Sequence, residues 1–85
     1  MAKILKMVRP TIPADPKGAA MFGTVAVKVE VDKSGKPSNV KVLKGEPMLA
    51  EAVVKAVKQW RWKPLELNGE LVEMDTIVTV NFEPR

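Results

Sequence analysis

Few residues in this sequence could do chemistry. Trp60-Arg61-Trp62-Lys63-Pro64 interleaves two aromatic rings with two cations, a pattern that can stack nucleic-acid bases and hold a phosphate backbone. The competing reading is that Trp60 closes an apolar helical stripe and Trp62 pins the junction after it, with Arg61 and Lys63 turned to water. The helical spacing of Trp60 favours the second. Lys33-Ser34-Gly35-Lys36 lacks the G-x-x-x-x-G-K-[ST] spacing of a phosphate loop and does not open a helix. Asp32 and Ser34 lack the other acidic positions of a calcium loop. Glu46, Glu51, Glu66, Glu70 and Glu73 are scattered, with no pair evidently placed for acid–base work. Cysteine and histidine are absent, which removes thiol catalysis, disulfides, the usual triad and most zinc sites. The expectation is a non-catalytic protein with no cofactor and no metal, acting through the shape of its surface.

The elements that would build that surface fit one domain, since the chain has 85 residues. Its net charge of +4 is weak evidence for an anionic partner. No apolar run approaches the roughly 20 residues that cross a membrane. Charges interrupt the first nine residues too often for a signal peptide. The chain is therefore read either as cytoplasmic or as a piece of a longer protein.

Residues 1–22 are expected to be an extended N-terminal segment, with Val8–Pro13 extended, Lys17–Phe22 as a short helical turn and Phe22 under the core. Pro10, Pro13 and Pro16 keep that stretch out of helices and central strands. Residues 23–85 form the domain proper. Val25, Val27, Val29 and Val31 alternate with Thr24, Ala26, Lys28 and Glu30, a half-buried strand. Asp32-Lys33-Ser34-Gly35 turns the chain, and Asn39–Leu43 returns as its hairpin partner, burying Val40 and Val42. Pro47 suits a first helical turn. Met48, Leu49, Ala52, Val53, Ala56, Val57 and Trp60 make the stripe of an amphipathic helix that ends near Trp60. Asn68-Gly69 marks a tight hairpin. In the last strand Met74, Thr76, Val78, Val80 and Phe82 share one face, and Asp75, Ile77, Thr79 and Asn81 the other.

Strand, strand, helix, strand gives an α+β fold, β-β-α-β, with the helix on the valine face of a three-stranded antiparallel or mixed sheet in the order 2-1-3. Strands two and three are then edges. Strand two is blunted by Pro37, Lys41, Lys44 and Gly45, whereas Thr76-Ile77-Val78-Thr79-Val80 carries no charge, Pro or Gly. A bare edge can accept an extended peptide by strand addition. It can also be covered by the N-terminal segment or by a second copy.

The ordered motifs Pro10-Thr11-Ile12-Pro13, Gly23-Thr24-Val25, Asp32-Lys33-Ser34-Gly35, Gly45-Glu46-Pro47-Met48-Leu49, Ala56-Val57-Lys58-Gln59-Trp60-Arg61-Trp62-Lys63-Pro64, Asn68-Gly69 and Val80-Asn81-Phe82 resemble the C-terminal domain of TonB-family energy transducers. The resemblance runs from about Val8 to Phe82, and its most specific part is the W-R-W-K-P block followed by Asn-Gly. Ile12 stands where the family has Tyr, and Trp62 where it has Phe.

The resemblance implies a periplasmic, non-catalytic domain that receives the TonB box of an outer-membrane transporter as an added strand. It also implies force from an ExbB–ExbD type motor, passed through an inner-membrane anchor. Carried onto this sequence, the receiving edge is Asp75, Thr76, Ile77, Val78, Thr79, Val80 and Asn81. The N-terminal contact segment holds Arg9, Pro10, Ile12 and Pro13. No anchor helix or proline-rich spacer is present in the sequence, so an excised domain is expected. The alternatives are a small basic nucleic-acid-binding domain and a module that dimerises by edge pairing.

Overall fold

A computed structural model describes residues 3–11 and 22–83. In chain order the elements are β1 (Ile4–Lys6), β2 (Gly23–Val31), β3 (Pro37–Lys44), α1 (Pro47–Val57), β4 (Arg61–Trp62), β5 (Leu65–Leu67), β6 (Glu70–Val72) and β7 (Met74–Phe82). The main sheet has the order β3-β2-β7, with both neighbouring pairs antiparallel. This is the 2-1-3 sheet expected from the sequence. The β2–β7 register is unbroken from Gly23↔Phe82 to Val31↔Met74.

Alternation places Val25, Val27, Val29 and Val31 on the covered face, each almost completely buried. Leu49, Ala50, Val53 and Val57 of α1 pack against them, with Trp60, Trp62, Val78 and Phe82 closing the cluster. Each fully buried Val or Leu stabilises the fold by about 1.5–3 kcal/mol, so this valine row is a main source of stability. Glu46 starts α1. Its carboxylate accepts from the N–H groups of Met48 and Leu49 at 3.0 and 3.3 Å, satisfying donors that a helix start leaves free.

Several expectations are corrected. Phe22 is 65% exposed rather than tucked under the core, because Phe82, opposite Gly23 in the ladder, fills that end. The second strand is longer than Asn39–Leu43, and Val42 is 43% exposed. It sits on an edge strand whose ladder slips twice, skipping Leu43 and Ser38. Met48 is exposed, and α1 ends at Val57, three residues before Trp60. There the turn tightens, with Gln59 N–H donating to Ala56 O and Trp60 N–H to Val57 O.

The N-terminal segment contributes a strand that the sequence reading lacks. β1 pairs with β4 through Ile4↔Trp62 and Lys6↔Arg61, and Lys63 N–H donates to Lys3 O at 2.7 Å. The rest of the N-terminal stretch, residues 12–21 including the expected helical turn at 17–21, lies outside the described residues.

Candidate functional site

The stretch Asp75–Asn81 lies within β7 and ends the main sheet. Thr76, Val78 and Val80 turn to the covered face and Asp75, Ile77, Thr79 and Asn81 to the open one, as the alternation predicts. Val78 is buried and Ile77 is 63% exposed. Only β2 pairs with β7 among the described residues. Among the described residues the outer row of backbone donors and acceptors has no strand partner, and β1 lies on β4 rather than on this edge. Two side-chain contacts tie β7 to β2 across the open face: Lys28 Nζ to Asp75 Oδ2 at 3.6 Å, and Thr24 Oγ1 donating to Asn81 Oδ1 at 2.8 Å. Both engage groups that flank the bare stretch, and they leave Thr76–Val80 without charge.

The opposite edge is blunted against ladder pairing. β3 begins at Pro37, bulges at Ser38 and Leu43, and carries Lys41 and Lys44, all devices that oppose strand addition.

Of the expected N-terminal contact residues, Arg9 is exposed and Pro10 half-buried, while Ile12 and Pro13 lie outside the described residues. Val8, Arg9 and Thr11 line a groove with Met48, Ala52 and Gln59 of the α1 side. What holds them there is Trp60, whose indole Nε1–H donates to Val8 O at 2.7 Å.

The Trp block is structural. Trp60 and Trp62 are 4% and 2% exposed, with ring centroids 5.8 Å apart. Neither face is free to stack a base, so the nucleic-acid alternative loses its main support. Arg61 folds back instead of pointing to water, its Nη1 donating to Trp60 O at 2.6 Å and Lys58 O at 3.3 Å. The Asp32 turn is structural as well. Asp32 Oδ1 accepts from Ser34 Oγ, Ser34 N–H and Lys36 N–H, and these bonds, the Ser34 hydroxyl first, hold its carboxyl below the usual carboxylate range. Gly35 O accepts from Trp62 N–H, so this turn fixes one side of β4 while β1 fixes the other. Among the described residues no group of three or more acidic side chains could hold a metal ion, and no helix is long and apolar enough to cross a membrane.

Residues 8–84 match the family model for the C-terminal domain of Gram-negative bacterial TonB proteins. The chain belongs to the TonB C-terminal family. That family is non-catalytic. The chain is 34% identical over 76 residues to the protein tonB2 of Pseudomonas aeruginosa, covering 87% of this chain and 28% of that protein. It is 30% identical over 63 residues to the protein TonB of Klebsiella pneumoniae, covering 72% of this chain and 26% of that protein. It thus spans about a quarter of the length of these curated relatives. A solution NMR structure of the Pseudomonas aeruginosa TonB CTD superposes with a TM-score of 0.77 at 24% identity, over 98% of this chain and 86% of that one. At that identity the likeness speaks for the fold. This TonB C-terminal chain carries the bare β7 edge as its most distinctive surface. Sequence reasoning found that edge by composition, but it missed the Glu46 cap and the β1–β4 clasp.

Proposed function

We propose that this domain takes the TonB-box segment of an outer-membrane transporter as an additional strand on β7, through Asp75–Asn81, and passes force to it without catalysis. The observation that carries this is the uncharged edge at Thr76–Val80, which has no outer partner among the described residues, while the opposite edge of the sheet is blunted. An added strand would gain backbone hydrogen bonds from the outer row, while alternate side chains extend the covered and open faces. The N-terminal stretch, with Arg9 and Pro10 and onward through Ile12 and Pro13, forms a further transporter contact. In the whole protein the domain works in the periplasm, linked to an inner-membrane anchor and an ExbB–ExbD type motor.

The test is an amide NMR titration of the domain with a short TonB-box-like peptide. Shifts should concentrate on Asp75–Asn81. The same peptide N-methylated at alternate residues, which removes ladder donors without touching the domain, should not bind in one of its two registers. Equal binding by both N-methylated forms, or shifts that avoid β7, would rule out strand addition.

A further inference from the structure

We propose that the β1–β4 ribbon rests on a bilayer surface carrying anionic headgroups, with Leu5 and Met7 entering it and Lys3, Lys6 and Lys63 meeting the lipid phosphates. None of these residues belongs to β7, so the contact is separate from strand addition. The ribbon has two unlike sides. Trp62 is buried, and Ile4 lies opposite it. Alternation along β4 sets Arg61 and Lys63 on the other side, and Lys6, opposite Arg61, shares it. Between those two pairs β1 spends two residues against one of β4, a bulge that lets Leu5 turn outward together with Lys6. Leu5 is accordingly 61% exposed, against 38% for Ile4, and Met7 is 60% exposed. The row is pinned at both ends. Lys63 N–H donates to Lys3 O at 2.7 Å, and Trp60 Nε1–H donates to Val8 O at 2.7 Å. Leu5 and Met7 are thus displayed on a fixed backbone, which lowers the ordering cost of binding.

Charge and apolarity together identify the occupant. Lys3-Ile4-Leu5-Lys6-Met7-Val8-Arg9 interleaves cations with apolar residues, and the first carboxylate in the sequence is Asp15. The ladder sets Lys6 directly opposite Arg61, a like-charge pairing that costs stability unless an anion lies over it. Glu66 lines a hollow with Lys3 and Lys63. Among the described residues, however, none of Lys3, Lys6, Arg9, Arg61 and Lys63 has a carboxylate within ion-pair distance. Arg61 is turned onto the carbonyls at the end of α1, so it adds charge behind the lysines rather than reaching out itself. A nucleic acid would satisfy these cations and leave Leu5 and Met7 in water. A bilayer surface satisfies both, because apolar side chains enter the boundary of the acyl region while lysine heads stay at the level of the phosphates.

The test is flotation of the chain with vesicles of phosphatidylcholine, and with vesicles of phosphatidylcholine and phosphatidylglycerol in equal parts. Binding is expected to the anionic vesicles alone and should weaken as salt is raised. On adding those vesicles, the amide signals of residues 3–9 and 61–63 should broaden before those of β7. Lys6→Glu should weaken binding at least about fivefold, while Lys6→Arg keeps it. The glutamate variant faces Arg61 with opposite charge, so β1 stays on β4 and tryptophan emission should match the parent. Leu5→Ser should weaken binding about tenfold, and Ile77→Ser on β7 should leave it unchanged. Equal binding to neutral vesicles, no binding to either, or anionic binding indifferent to both Lys6→Glu and Leu5→Ser overturns the proposal. So does polyglutamate bound as tightly as the anionic vesicles, which would assign the surface to an acidic protein. Failure here leaves the β7 titration untouched, because the two readouts fall on different residues.

Discussion

Gly35 and Gly69 both have positive φ, +89° and +82°, and they differ in what surrounds them. A Cβ on Gly69 would meet nothing within 4 Å, so Gly69→Ala should cost only the left-handed backbone penalty, about 1–2 kcal/mol. A Cβ on Gly35 would collide with the carbonyl of Trp62. Gly35→Ala should therefore cost at least about 3 kcal/mol, since the turn must back away from β4. Urea unfolding of the two variants checks the difference, and equal losses would mean that the turn does not press on β4. Asp32, in the same turn, makes stability depend on pH. Its carboxyl is held below the ordinary 3.8 in the fold, so its contribution is complete above that value and is lost as pH falls through the lower folded one. The stability gap between the parent and Asp32→Asn should shrink as acid is added. A gap that stays constant down to the lowest accessible pH would show that the charge of Asp32 is not what the three donors recognise.

Between elements, legibility followed length and period. β2, β7 and α1 could be read because their apolar residues repeat at two or at three to four positions, and the β5–β6 hairpin because Asn68 and Gly69 accept the positive φ its turn needs. β1 and β4 could not, being three and two residues long and paired across more than fifty positions. Nothing local in Ile4-Leu5-Lys6 announces that partner. The clasp they form is nevertheless testable. Trp60→Phe keeps an aromatic ring in the core but leaves Val8 O without the indole donor. The expected loss is about 1–2 kcal/mol, and removing residues through Lys6 should shift tryptophan emission to the red as the β4 flank opens. An unchanged spectrum after that truncation would mean that β1 does not shield Trp62.

At the scale of the whole molecule the sheet has two unlike edges, and only half of that contrast was readable. Pro37, Lys41 and Lys44 blunt β3 by residue type, but the bulges at Ser38 and Leu43 are pairing events between strands and leave no mark in composition. The bare stretch of β7 was evident from its residues, and its composition also bears on self-pairing. Two copies meeting antiparallel about Val78 would set Asp75 against Asn81, Thr76 against Val80 and Ile77 against Thr79, with no like charges opposed. Parallel pairing would face Asp75 with Asp75, at a cost. Any dimer through this edge should therefore be antiparallel and should compete with an added peptide for the same hydrogen bonds. The chain has no native cysteine, so single introduced thiols report pairing cleanly. Under mild oxidation a mixture of Ile77→Cys and Thr79→Cys chains should cross-link to each other faster than either does alone, and a TonB-box-like peptide should suppress the cross-link. Faster linking of Ile77→Cys to itself would indicate parallel pairing. Cross-linking that is indifferent to the peptide would place self-association on some other surface, leaving β7 to the transporter segment alone.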